Sequence, residues 1–150
     1  MSTEANKALV RRYYEEVLAK RNSALVDELF ATNYVYHYPD TPPNLPPGLE
    51  GFKQFVTMYL SGYANLHFTI EDQIAEGDKV VTRVTAHSSN IGPLRSIPEN
   101  PETATRADNI TGISIERIAD DKIVESWAEF DLLAMQQQAG VMPSMGQTKQ

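Results

Sequence analysis

The run Asp120-Asp121-Lys122-Ile123-Val124-Glu125-Ser126-Trp127-Ala128-Glu129-Phe130-Asp131 reads as a turn, a strand and an aspartate at the strand's end. Strand side chains alternate between faces, so Ile123, Glu125, Trp127, Glu129 and Asp131 are predicted to share one face. A carboxyl beside a tryptophan, where a strand passes into an apolar helix, can lie in poorly solvated surroundings. Desolvation raises a carboxyl's pKa and suits it to proton transfer. Asp131 is therefore the first candidate for acid/base work. Asp is also a favoured N-cap, and a helix is predicted from Leu132, so spacing alone leaves both roles open.

Other polar side chains lie on strand-like segments that can face inward: His37, Arg83, Asn90 and Asn109. Trp127, Tyr36 and Phe55 are candidates for a pocket wall. The bland alternatives are specific. Arg83 could pair with Glu71 or Glu116, His67 and His87 are expected on solvated strand faces, and the tyrosines are mostly core. The histidines at 37, 67 and 87 lack metal-ligand spacing and there is no cysteine, so no metal and no disulfide is expected.

The elements that must position these residues change period along the chain. Leu9, Val10, Tyr13, Tyr14, Val17 and Leu18 recur at helical spacing, with Ser2 or Thr3 as cap. Leu25, Val26, Leu29 and Phe30 predict a second short helix, and Tyr34 to Tyr38 a strand. Five prolines between Pro39 and Pro47 predict a loop long enough to act as a flap. A third helix is predicted from Gly51 to about Gly62.

After Gly62 the pattern becomes strand-like. Leu66, Phe68 and Ile70 alternate with polar residues, Glu76-Gly77-Asp78-Lys79 predicts a hairpin turn, and strands are expected over 79–90 and 104–118. Residues 92–103 read as a connecting loop. Gly112 is expected at a bulge or a point of close packing. The last helix is predicted over 132–139, with Gly140 as its cap and a disordered tail from Pro143. Helices first and antiparallel strands after predict one α+β domain over 1–142.

With 150 residues and a net charge of −7, a nucleic-acid role is disfavoured, because binding phosphates needs a basic face. No segment approaches the roughly 20 apolar residues of a membrane span. The first residues lack the pattern of a signal peptide, so a cytoplasmic protein is expected.

Four segments and one single residue carry a resemblance: Glu76-Gly77-Asp78-Lys79-Val80-Val81-Thr82-Arg83, Ile115-Glu116-Arg117-Ile118, Lys122-Ile123-Val124-Glu125-Ser126-Trp127, Asp131, and Gln138-Ala139-Gly140. In this order and spacing they resemble the SnoaL-like polyketide cyclases, part of the NTF2-like superfamily, from about Ala8 to Gly140. The resemblance implies a cone of N-terminal helices on a strongly curved, mainly antiparallel sheet, and a homodimer through the sheet. It implies cofactor-free closure of a polyketide ring by intramolecular aldol chemistry. It assigns the acid/base to Asp131 and a pocket histidine to His37. Two motifs depart from the family. Ser88-Ser89-Asn90 stands for Gly-Thr-His, and Tyr63-Ala64-Asn65 for Phe-Pro-Asp, so asparagine replaces a histidine and an aspartate.

Aldol closure needs a base for a carbonyl-acidified proton, an acid for the alkoxide, and hydrogen-bond donors for the enolate oxygen. A small-molecule cyclase or isomerase is thus the first expectation. A hydrolase or dehydratase on the same cone is the second, and a non-catalytic binding or dimerisation module the third. A buried Asp131 facing a cavity with His37 in reach would favour an enzyme. Asp131 turned to solvent would favour the module.

Overall fold

The computed structural model describes residues 2–39, 41–88, 90–91 and 109–138. The expected loop over 92–103, the first residues of the strand expected from 104, the cap at Gly140 and the tail lie outside them.

Helix α1 (Thr3–Arg12) begins where Ser2 Oγ accepts the Ala5 N–H at 3.0 Å. It runs directly into a π-helical stretch, Tyr13–Ala19. This stretch buries Tyr13, Tyr14, Val17 and Leu18. The second predicted helix is only a short 3-10 turn (Ser23–Leu25) followed by α2 (Val26–Leu29). Phe30 opens strand β1 (Phe30–His37) instead of closing that helix. Helix α3 (Gly48–Gly62) buries Leu49, Phe52, Phe55, Val56 and Leu60. Arg21 joins the two helical segments. Its guanidinium donates to the carbonyls of Leu60 (2.6 Å) and Tyr63 (2.5 Å), satisfying acceptors that the end of α3 leaves open.

The strands follow as β2 (Tyr63–Ala64), β3 (His67–Glu76), β4 (Lys79–His87), β5 (Asn90–Ile91), β6 (Ile110–Ala119) and β7 (Lys122–Phe130). Helix α4 (Leu132–Gln138) ends the described chain. The main sheet has the order β1-β7-β6-β4-β3 and is antiparallel except for the parallel pair β1–β7. Strands β2 and β5 form a separate two-stranded ladder. The sheet is open, and the helices cover one of its faces, as α+β periodicity predicts. No described helix is long and apolar enough to cross a membrane.

A β-bulge decides which residues see the interior. On β7, Ile118 pairs with Ile123 and Arg117 pairs with Glu125, so Val124 is an extra residue. One extra residue reverses the alternation. Ile123 is fully buried, but Glu125, Trp127 and Glu129 lie on the outer face, and Ser126, Ala128 and Phe130 turn inward. Strict alternation from Ile123 therefore fails, and the expected shared face of Ile123, Glu125, Trp127, Glu129 and Asp131 is corrected: Ile123 is buried while Asp131 is exposed.

Candidate active site

The interior between helices and sheet holds a cavity of about 40 Å³. By this measure one water needs about 10–15 Å³, so the slot admits a small part of a ligand rather than a multi-ring molecule. Its wall is mostly aromatic: Tyr13 and Tyr14 from the π-helical stretch, Tyr38 just beyond β1, Phe55 and Tyr59 from α3, Phe68 from β3 and Phe130 from β7. The rings brace one another. Tyr14 meets Phe68 edge-on at 5.1 Å, Tyr38 meets Phe55 edge-on at 5.7 Å, and Phe55 stacks on Tyr59 at 5.9 Å. Gly112, opposite Phe130 in the β6–β7 ladder, is the close-packing point expected of it. A Cβ there would collide with the Phe130 ring.

Behind this wall the sheet buries a carboxyl. Glu116 of β6 is 1% exposed. It falls on the inner parity of β6 with Ile110, Gly112, Ser114 and Ile118. Ser114 Oγ donates to Glu116 Oε1 at 3.0 Å, and the Tyr14 hydroxyl donates to Ser114 Oγ at 2.7 Å. Burial pushes the Glu116 carboxyl up to about 8, against hydrogen bonding from Ser114 and Ser126. Ser126 faces Glu116 directly across the β6–β7 ladder. Its Oγ and Glu116 Oε2 still fall short of full hydrogen-bond geometry, and both lack a close partner, as does the Tyr34 hydroxyl. Burial also raises the pKa of Tyr13, Tyr14 and Tyr34, so these phenols are neutral donors near neutral pH.

Of the residues singled out in the sequence, Phe55 lines the cavity. Tyr36 packs on it from β1 at a ring separation of 5.8 Å. Asp131 follows the cavity-lining Phe130 and is exposed. Its Oδ1 accepts the Ala134 N–H at 3.0 Å and its carbonyl accepts from Met135, so it caps α4.

The remaining candidates are not brought to the cavity. His37 and Trp127 are paired in register on the outer face, with rings stacked at 5.4 Å. His37 Nε2 lies 2.9 Å from Glu125 Oε2, and Arg117 reaches Glu125 Oε1 at 3.1 Å. The His37 hydrogen bond, then Arg117, hold the Glu125 carboxyl below its usual range. Arg83 is exposed on the same face, across from Asp72 and Ile113, while its proposed partner Glu116 is on the opposite face. Asn109 is exposed at the start of β6, in a left-handed conformation (φ 56°). Asn90 pairs by its backbone with Ala64; its side chain lies outside the described residues. His67 and His87 stack on each other at 5.0 Å on the outer face. Among the described residues no three His, Asp or Glu side chains converge to hold a metal ion.

Glu116 is the residue that sequence reasoning passed over. A glutamate in a strand ordinarily reads as solvated. The usable signal was its parity with Ile110, Gly112 and Ile118.

Comparison with known proteins agrees with this architecture. The family model of SnoaL-like polyketide cyclases matches residues 8–139. The fold is similar to that of a proposed SnoaL-like polyketide cyclase from a Jannaschia species, at 20% identity, 94% of this chain, 95% of the other and a TM-score of 0.78. It is also similar to IdmH, a proposed polyketide cyclase from Streptomyces antibioticus (24% identity, 90% and 98% coverage, TM-score 0.72). A proposed polyketide cyclase from Bacillus cereus matches with 23% identity over 95% of this chain and 87% of the other, at a TM-score of 0.71. A search among curated proteins finds no match.

Proposed function

This chain belongs to the SnoaL-like polyketide cyclase family, and from that premise we propose that it is a cofactor-free cyclase or isomerase. Its reaction is intramolecular aldol-type acid/base chemistry on a carbonyl-rich, polyketide-like small molecule. The observation that carries this reading is the aromatic slot with neutral phenols in its wall. Flat conjugated carbonyl compounds stack on such walls, and the phenols supply donors for an enolate oxygen. The slot's size implies that one ring edge enters while the rest of the substrate stays outside.

Asp131 is the proposed acid/base. It sits at the end of β7, next to Phe130, and its cap engages only Oδ1 among the described residues. One oxygen can thus orient the carboxylate while the other exchanges a proton. His37, on the outer face beside Glu125, has no part in this step. The test is turnover of a linear poly-β-ketone without added metal or cofactor. The protein should close the ring faster than buffer does.

A second reading has a specific observation behind it. Asp131 is exposed and already serves as a helix cap, which suits a small-molecule-binding module without chemistry. Ligand binding in the slot with ring closure at the buffer rate would select that reading.

The proposed assembly is a homodimer through the outer sheet face. Ile74, Val81, Ile115, Trp127 and His37 are register partners in one row across all five strands. Ile74 is 61% exposed, and Ile113 in the next row is 48% exposed. A sheet covered on one face ordinarily carries polar residues on the other.

A further inference from the structure

The Tyr14–Ser114–Glu116 chain ends in a carboxyl that the proposed chemistry does not use. Each member is buried: Tyr14 is 2% exposed, and Ser114 and Glu116 are each 1% exposed. Tyr14 lines the cavity, and the chain leads from its hydroxyl to the sheet interior through hydrogen bonds of 2.7 and 3.0 Å. A hydroxyl has a single proton to donate. With Glu116 ionised, Tyr14 donates to Ser114 and Ser114 donates to Glu116 over these distances. The Tyr14 proton is then spent inside the protein, and the cavity side of its oxygen offers only an acceptor.

We propose that the protonation state of Glu116 sets the direction of this chain, so that neutral Glu116 makes the Tyr14 hydroxyl a donor to a carbonyl oxygen in the cavity. With a proton on its carboxyl, Glu116 donates to Ser114 Oγ. Ser114 then donates to the Tyr14 oxygen, and the Tyr14 proton turns toward the ligand. No covalent bond forms or breaks: each hydroxyl rotates, and the one proton gained comes from solvent. Loss of that proton reverses the chain. Glu116 is thus a positioning residue that acts through Ser114 on Tyr14.

The surroundings fit a carboxyl that holds its proton. The titratable groups acting on it from the packed elements are phenols: Tyr13 and Tyr14 from the helical side, Tyr34 and Tyr38 from β1 and its extension. Its ladder partners are Val80 and Ser126. No buried cation lies among the described residues to hold it ionised.

This inference rests on the slot binding carbonyl ligands, so two readouts separate the network from the slot. The first needs no ligand. In protein labelled with carbon-13 at the Glu side-chain carboxyl and the Tyr ring carbon bearing oxygen, the two resonances are followed from pH 6 to pH 10. Glu116 should titrate in this range, and the Tyr14 resonance should move with it. In Ser114→Ala the Tyr14 shift should no longer follow Glu116. The second readout is the affinity for acetophenone, a neutral aryl ketone. Wild-type affinity should fall roughly 3- to 10-fold as Glu116 ionises, the equivalent of one hydrogen bond. Glu116→Gln, a permanent donor, should keep the low-pH affinity throughout. A Tyr14 resonance indifferent to Glu116 overturns the network whatever acetophenone does. Coupled resonances with no acetophenone binding overturn the donor role and the slot reading, and leave the hydrogen-bond chain standing. Equal pH dependence of affinity in wild type and Glu116→Gln also overturns the proposal.

Discussion

Asp131 and Glu116 are two carboxyls made unlike by their surroundings. Asp131 stands in solvent with one oxygen on a helix terminus; Glu116 is sealed in the sheet. Asparagine caps helices as well as aspartate does. Asp131→Asn should therefore keep the melting temperature within a few degrees while turnover drops about 100-fold or more. Circular dichroism and ring-closure kinetics on the same sample check both halves. Glu116 makes a separate prediction in stability. Its pKa rises from 4.5 in the unfolded chain to about 8 in the fold. Below about pH 4.5 both states hold the proton, and Glu116 brings no ionisation penalty. Between these values the folded state binds more protons, so stability falls as pH rises, and the loss is complete above about pH 8. Urea unfolding at pH 5 and pH 9 should show wild type losing on the order of a few kcal/mol relative to Glu116→Gln. Parallel pH profiles of the two proteins would contradict the buried, neutral carboxyl. The sequence made Asp131 visible, because its place after a Trp-containing strand and before an apolar run is a local pattern. Glu116 stayed hidden because its burial comes from neighbours far along the chain, Tyr14 among them.

At the level of elements, the switch from helical to strand period after Gly62 was legible, as were the Ser2 cap, the hairpin at Gly77 and helix α3. Three features were not. The π-helical stretch keeps the apolar pattern of an ordinary helix, so the inward Tyr13, Tyr14, Val17 and Leu18 were legible and the wider turn was not. The bulge at Val124 inserts one residue, and period-two reasoning carries no warning of it. Strand β1 pairs parallel to β7, about ninety positions away, which no local signal encodes. The bulge is what sends Glu125 and Trp127 outward, to the face that His37 takes by the alternation of β1 from Tyr34 and Tyr36. Two substitutions probe the joints that shape the slot. Gly112→Ala puts a methyl into the Phe130 ring, and should cost about 1–3 kcal/mol and weaken slot ligands as that ring shifts. Arg21→Lys removes the fork that binds two carbonyls at the end of α3. It should destabilise the protein by about 1–2 kcal/mol in urea. An unchanged midpoint would show that this tie does not hold α3 in place.

The whole molecule divides its sheet between two tasks. The inner face, covered by helices, builds the slot and the buried carboxyl. The outer face carries an apolar row from Ile74 to Trp127, flanked by the His37–Glu125–Arg117 cluster. Light scattering at micromolar concentration should give twice the chain mass, and Ile113→Lys, which places a charge on that face, should shift the protein toward monomer. A monomer mass for wild type would remove the proposed interface. Apolar residues on both parities of β6 made this face legible in the sequence, whereas the slot's narrowness was not, because it depends on how the rings of five separate segments meet. The central claim is that the cone performs acid/base chemistry at carbon beside a carbonyl. It is tested most directly by hydrogen–deuterium exchange at the α-carbon of aryl ketones, acetophenone and its fused-ring homologues, followed by proton NMR in heavy water with chelator present. Wild type is predicted to accelerate exchange well above buffer, with Asp131→Asn slower by about 100-fold or more. Exchange at the buffer rate with wild type, or equal rates for wild type and Asp131→Asn, would contradict the account.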